Sequence, residues 1–480
     1  MNNVSYMVSI FDILTNQNNI ISNDTNDING LLSNYGIERI LIINNLFMPL
    51  ANSAVIDLTY SAVGAKVKLF NSAIAEGNLV KIEELFNNSY KTVFVGYIAT
   101  VNIGQDTQIG LNITLNCLSL LGQLSYQLVA NDINDTLMLG GGEFPITDFV
   151  ANQVELGKIL VAFQNQSLMS YALNHQITTS YDTYAGEQLA FLIPSGADNL
   201  TPNTPVYFFA STNDNRFDSL LRTVYAYQRL IYQDLDGTIK IAIPSVAESG
   251  AAAISDFYSF DIGKFNDTVD NNSIKYDRYN ISKNAGIVCN RAFASLVPVG
   301  FNLIGKNEQN TINYVANLSD KLFSRGQQLL KSGIFTISKH DIVDLSDNMV
   351  KDPTLLRLFG ISQGSNSNII ATNLSGSSTS TRTGMPIVGL YANRLLSQDA
   401  FLETQLEIDL PRLSCYNAAS DELANIPLGY MVNVDDNGNL GLETNKFYCY
   451  QMLLNYDINN GTKLSLGLCK PYSFTTLWSN

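Results

Sequence analysis

Few residues in this chain have the type and spacing for chemistry. Gly360-Ile361-Ser362-Gln363-Gly364 has the G-x-S-x-G form of a nucleophile elbow, in which a sharp strand-to-helix turn lifts a serine Oγ toward substrate. A working elbow also needs a helix after the serine, then an acid and a histidine downstream. Here "NSNII" follows, a poor helix, and both histidines, His175 and His340, lie upstream of Ser362. The segment reads as a turn; the enzyme alternative, a hydrolase resting on Ser362, predicts ester turnover that Ser362→Ala abolishes. His175 and His340 have no metal-ligand spacing to each other or to a cysteine. "VDDNGNL", Val434 to Leu440, has the look of a calcium loop but lacks its closing glutamate, and reads as an Asn-Gly hairpin. Glu83 and Glu84, like Asp435 and Asp436, are neighbours in sequence, so on strands they point to opposite faces and make no glycosidase couple. Gly140-Gly141-Gly142 is completed by no lysine or Ser/Thr of a phosphate loop. The reading is therefore no enzyme, with no catalytic, cofactor-binding or metal residues.

Without a site to position, the elements must serve another purpose, and composition bounds it. The 480 residues suggest about two to four domains. Hydrophobic residues make up 46% and charged ones only 15%, so the chain is packed, and much of its surface is expected to meet other protein. The 24 tyrosines and 23 phenylalanines fit large interfaces, though most are expected in β-cores. A net charge of −15 without any basic stripe argues against a surface that reads nucleic acid. Cys117, Cys289, Cys415, Cys449 and Cys469 are odd in number and form no CxxC; they read as free thiols acting as small core residues in a reducing cytoplasm. No secretory signal opens the sequence, and no apolar run reaches the length of about 18 residues that a membrane span requires.

The texture is α+β and β-rich, with two barrel-like β domains flanking a mixed helix and strand region. Residues 1–36 read as an Asn-rich arm that a neighbour orders, and residues 37–125 as a first barrel-like domain of strands spaced roughly ten residues apart. Residues 126–210 mix both periods, with helical spacing from Ile146. Residues 211–350 are a central helix-hairpin domain. Its helix, Arg216 to Gln228, buries Phe217, Leu220, Leu221 and Val224, is capped from among Asn213, Asp214 and Asn215, and carries Asp218 in its first turn. Strands Leu230 to Gln233 and Thr238 to Ile243 follow, joined by Asp236-Gly237. A second helix is expected from Asp320 to Lys331. Residues 351–384 form a linker, Ser/Thr/Gly/Asn-rich from Gly364 to Gly384, and residues 385–480 a second barrel-like domain.

The unit ending "YQDLDGTIKIAIP" resembles the middle of the baseplate hub proteins of contractile phage tails, whose fold is shared with the base of type VI secretion spikes. Val93-Phe94-Val95-Gly96-Tyr97-Ile98 resembles the early "vf.Gyv" strand of that family, and "SIKYDRYNIS", Ser273 to Ser282, the strand after its hairpin. The resemblance runs in element order from about Ile37 to the C-terminus; Gly364 to Gly384 has no counterpart in it.

Lys91 to Leu118 and Lys446 to Pro471 share an order: aromatic-rich strand, polar turn, then an alternating strand ending in Cys117 or Cys469. Before each lies a Pro-Leu and a strand, "FMPLANSAVIDLTY" and "NIPLGYMVNVDDNG". Two related barrels explain the pattern, and so does the ordinary likeness of two β-hairpins. With a duplication, a trimer forms a ring of approximate six-fold symmetry, as a tail needs where a three-fold spike meets a six-fold tube. The resemblance implies a homotrimeric structural hub in the virion's baseplate, assembled in the host cytoplasm. Its implied partners are tail spike, tail tube and wedge proteins, with DNA only as passing cargo in an acidic channel. The alternative is a surface or glycan-binding tail or adhesin-type β-protein with exposed aromatics.

Overall fold

The computed structural model describes residues 4–23, 32, 34–60, 74–106, 110–129, 148–165, 167–194, 200–211, 215–225, 229–242, 254–262, 274–283, 291–299, 312–317, 338–346, 404–442 and 445–469. Its first seven strands are β1 (Ser5–Asp12), β2 (Gln17–Ser22), β3 (Tyr35–Asn45), β4 (Ser53–Tyr60), β5 (Leu79–Phe86), β6 (Ser89–Asp106) and β7 (Gly110–Ser119). Period-2 patterning sets their faces: β4 buries Ala54, Ile56 and Leu58 and turns Val55, Asp57 and Thr59 outward. They pair antiparallel in the order β2-β1-β5-β6-β7-β4-β3.

Within the span 1–36, expected as an arm, residues 5–22 are instead the β1–β2 hairpin of this sheet. The reason is the alternation of Tyr6, Val8 and Ile10, all buried, which commits β1 to a core face beside β5. The Asn23 side chain continues the join: it donates to the Ile37 carbonyl at 2.7 Å and accepts from the Ile37 amide at 2.8 Å, so it stands in for one rung between the end of β2 and β3.

The middle of the chain is mixed. β8 (Asp148–Glu155) pairs with β12 (Pro205–Ser211), and helices Leu156–Asn165 and Leu168–Asn174 follow β8. The helical spacing from Ile146 thus holds only from Leu156, because residues 148–155 find a ladder partner. Three short strands, β9 (Asp182–Tyr184), β10 (Glu187–Leu189) and β11 (Phe191–Leu192), precede β12. Helix Arg216–Tyr225 then leads into β13 (Leu230–Gln233) and β14 (Ile239–Ala242). Asn215 caps it as expected: its Oδ1 accepts from the Asp218 amide at 2.7 Å and its Nδ2 donates to the Asp218 carboxylate at 2.7 Å. Five further strands are β15 (Ile254–Asp261), β16 (Arg278–Lys283), β17 (Arg291–Val299), β18 (Ile312–Asn317) and β19 (Ser338–Ser346); the last three form their own sheet. The expected helix at 320–331 and the linker segment 364–384 lie outside the described residues.

The last strands are β20 (Thr404–Pro411), β21 (Tyr416–Asn417), β22 (Glu422–Leu423), β23 (Met431–Asp435), β24 (Lys446–Asp457) and β25 (Gly461–Cys469). They continue the first sheet. β24 pairs antiparallel with β3, and the path runs on through β25 and β20 to β16. A bulge between Cys449 and Gln451 divides β24: its first residues pair with β23 and the rest with β3, so the strand changes neighbour midway. The chain is α+β and β-rich, as expected, and its strands from both ends share one 13-stranded sheet. No closed barrel forms among the described strands. One apolar cluster serves both parts, holding Ile56, Leu115 and Cys117 together with Leu454, Leu466 and Leu468.

The two similar hairpins are present as β6–β7 and β24–β25, each with one bulge where its first strand pairs with its second. Their flanking strands differ in attachment. β4, after the first Pro-Leu, joins β7, whereas β23, after the second, joins β24.

Candidate functional site

Two of the three stretches that carry the hub resemblance meet in space. The turn between β13 and β14 is closed by the Asp234 amide on the Thr238 carbonyl at 2.8 Å, with Asp236 Oδ1 accepting from the Thr238 amide at 3.0 Å. Gly237 at its tip has φ +88, and a Cβ there would lie 2.5 Å from Thr178 Cγ2 and 3.0 Å from Val95 Cβ. The turn is therefore seated on the Val93–Ile98 strand at a distance only glycine allows. One residue before the turn, buried Gln233 donates from Nε2 to the Val95 carbonyl at 2.7 Å and accepts from the Leu121 amide at 3.1 Å. Gly96 is equally constrained, since a Cβ would stand 2.1 Å from the Leu118 carbonyl oxygen. The arrangement is a rigid joint between the central helix-hairpin unit and the first sheet.

A second joint ties the first sheet to the last strands. Arg412, in the turn after β20, binds Glu84 of β5 through two parallel hydrogen bonds of 2.8 Å, with both residues only 1% exposed. Tyr6 donates to Glu84 at 3.3 Å, and Arg412 also donates to the Ala424 carbonyl at 2.8 Å. Burial and then the Glu84 charge push the Tyr6 hydroxyl well above its usual range. The sequence carried a signal for this pair: on β5 the core face reads Val80, Ile82, Glu84, Phe86, so a carboxylate stands at a buried position and requires a cation. At the surface beside it, Asn87 Nδ2 donates to Asp421 Oδ1 at 3.1 Å and Lys91 pairs with Glu422 at 3.2 Å.

The residues weighed for chemistry fall as follows. Ser362, Gly140 to Gly142 and Cys289 lie outside the described residues. His340 is on β19, opposite Phe293 of β17, and His175 is exposed at a helix end, stacked on Tyr171 at 3.8 Å. Glu83 and Glu84 do face opposite sides, Glu83 pairing with Lys81 at 2.7 Å. Asp436 is bound by its own loop, accepting from the amides of Gly438, Leu440 and Leu442 at 3.0, 3.1 and 2.9 Å. Burial raises its carboxyl, but these amides outweigh that and hold it below the usual range. Cys117, Cys415, Cys449 and Cys469 are buried free thiols; burial lifts Cys117 to about 12 and the others also upward. Among the described residues no group of three or more His, Cys, Asp or Glu is placed to hold a metal ion, and no helix is long and apolar enough to cross a membrane.

By sequence the chain matches no family model and no curated protein. By structure it aligns with the 43 kDa tail protein of a Shewanella oneidensis prophage at TM-score 0.51 and 11% identity, covering 98% of each chain. A tail protein of Neisseria meningitidis aligns at the same TM-score, identity and coverage. The chain has the fold of phage tail proteins. An Escherichia coli component of the type VI secretion system, described as similar to T4 phage tail proteins, aligns at TM-score 0.39 and 8% identity over 93% of this chain and 77% of that one. Within the tail-protein fold, the two joints hold three stretches distant in sequence in fixed contact: the β5–β6 hairpin, the Asp-Gly turn and the segment after β20.

Proposed function

We propose that the protein is the structural baseplate hub of a contractile phage tail, a homotrimer that adapts a three-fold spike to a six-fold tube. The observation that carries this is the tail-protein fold along 98% of the chain, supported by the contact between the Asp-Gly turn and the Val93–Ile98 strand, two of the stretches on which the hub resemblance rests. The two bulged hairpins, β6–β7 and β24–β25, supply two similar surfaces per chain, and three chains then present six. The partners on this reading are spike, tube and wedge proteins, bound without enzymatic turnover, and the protein resides in the virion's baseplate. Residues 37–125 and 385–480 act as the two ring-forming parts and residues 211–350 as the connecting one.

Native mass by light scattering tests this. A particle of three times the chain's 52.8 kDa, with ring-shaped images showing six repeated features, is the expected result, alone or on a co-purified partner. A single-chain mass both alone and with every tail component offered sinks the reading.

A further inference from the structure

We propose that the polar face of the sheet where β16, β20, β25 and β24 run side by side is a binding site for one sugar ring, free or as a unit of a glycan. The inference goes beyond the hub reading and does not use it, because the whole site lies within one chain. It starts from one row of the ladder. Asn280 of β16 stands opposite Glu407 of β20, Glu407 opposite Gly467 of β25, and Gly467 opposite Gln451 of β24. Residues paired in this way carry their side chains on one face. Gly467 has none, so the surface is notched between Glu407 and Gln451. Any larger residue would fill the notch: a Cβ on Gly467 would lie 2.8 Å from Gln451 Cβ and 3.4 Å from both Gln451 Oε1 and Tyr450 Cζ.

The bulge in β24 completes the notch. Cys449 stands opposite Leu468 and Gln451 opposite Gly467, so Tyr450 is the extra residue, and its ring reaches the Gly467 side of the sheet. Phe47 holds that ring from behind, the two centroids 5.1 Å apart. Burial first, then the Cys469 and Cys449 thiols and Glu407, lift the Tyr450 hydroxyl to about 12, so it enters the notch as a neutral phenol. Ser282 and Gln405 face each other beside the Asn280–Glu407 pair, and Ser465 lies further along β25.

The result is an open cavity of about 190 Å³. Sites for drug-sized molecules begin at about 300 Å³, so this one takes a single ring. Its lining decides the chemistry of that ring. The Asn280, Gln405 and Gln451 amides, the Ser282 and Ser465 hydroxyls and the Tyr450 phenol can donate as well as accept, and Glu407 accepts. Such a mixture fits a ligand that alternates donors and acceptors around its rim, as the hydroxyls of a pyranose do. A phosphate or carboxylate would find no Lys, Arg or His among the described lining residues and would face Glu407. An ammonium would leave the amide N–H groups unmatched, and an apolar ligand would strand every polar group. The Tyr450 ring supplies the apolar surface that the C–H face of a sugar needs.

Saturation-transfer NMR on the full chain tests this. Methyl α-glucoside, methyl α-galactoside and methyl N-acetyl-β-glucosaminide serve as single rings, and a lipopolysaccharide core oligosaccharide as the glycan. At least one probe is expected to bind with a Kd on the order of 1 mM, as about a dozen non-hydrogen atoms in an open site allow. Glu407→Ala and Asn280→Ala are each expected to weaken it about tenfold. Both side chains are exposed, so the sheet survives their removal, which thermal melts of the variants check. Asn102→Ala, exposed on distant β6, is expected to leave binding unchanged. Binding of a single ring identifies the free sugar as sufficient, and binding of the oligosaccharide alone identifies the glycan; either upholds the site. No transfer to any probe, or transfer that survives both Glu407→Ala and Asn280→Ala, overturns it.

Discussion

Arg412 and Glu84 lie 328 positions apart in sequence and form a two-pronged ion pair sealed from water. The pair is a lock between the first sheet and the last strands. Its removal from one side leaves a buried charge alone, which costs about 3 to 5 kcal/mol. Arg412→Met and Glu84→Gln are each expected to lower the unfolding free energy by that order, measured by chemical denaturation. Arg412→Met combined with Glu84→Gln is expected to cost less than the sum of the singles, because no orphaned charge remains; additivity would show that the two act independently.

Gly237→Ala is expected to destabilise by about 1 to 3 kcal/mol, since it adds a Cβ at positive φ into the space of Thr178 and Val95. The useful control is Gly438→Ala, equally at positive φ but in open space, which keeps the backbone cost and lacks the clash. A larger loss at Gly237 than at Gly438 in thermal melts isolates the seating of the turn on β6.

Asp436 predicts an acid-labile loop. Its folded carboxyl is held below the ordinary value, so its stabilisation is complete above the unfolded value of about 4 and is lost as pH falls through the lower folded value. Melting temperature followed from pH 6 downward is expected to fall more steeply below about pH 4 in the wild type than in Asp436→Asn. Equal slopes would mean the three amide contacts contribute nothing to the folded state.

The four described thiols are expected to be silent toward a thiol reagent in the native protein and to react on unfolding, because burial both hides them and disfavours the thiolate. Counting reactive thiols in a Cys289→Ser background, before and after guanidinium, checks this. Rapid native reaction at Cys117 or Cys469 would place those strands at a surface.

What was legible in the sequence was local. Helix Arg216–Tyr225 with its Asn215 cap, the Asp-Gly hairpin and the β6–β7 and β24–β25 hairpins all rest on spacing within about a dozen residues. The pairing of β24 with β3 joins segments some 400 residues apart, as at Asn45 and Gln451, and no local pattern specifies it. That pairing is why two expected barrels are instead one sheet. The N-terminal hairpin was hidden by its asparagines, whose composition suggests a loop, although Tyr6, Val8 and Ile10 already alternate. Of the candidate site, Gly96 and Gly237 stood in quoted motifs, while Gln233 and Arg412 gave little sign, since their roles depend on partners far along the chain.

The β3–β24 seam also sets a timetable. During synthesis β1 to β7 emerge first, yet the outer edge of β3 receives its neighbour only after residue 446 has been made. For that interval the nascent chain carries a bare strand edge rich in isoleucine, Ile40, Ile42 and Ile43 among them. Completion of the sheet is a late, long-range closure, so folding is expected to be slow and dependent on the tail of the chain. A ribosome stalled before β24 holds an adhesive intermediate, and the last strands act as the stopper that ends its stickiness.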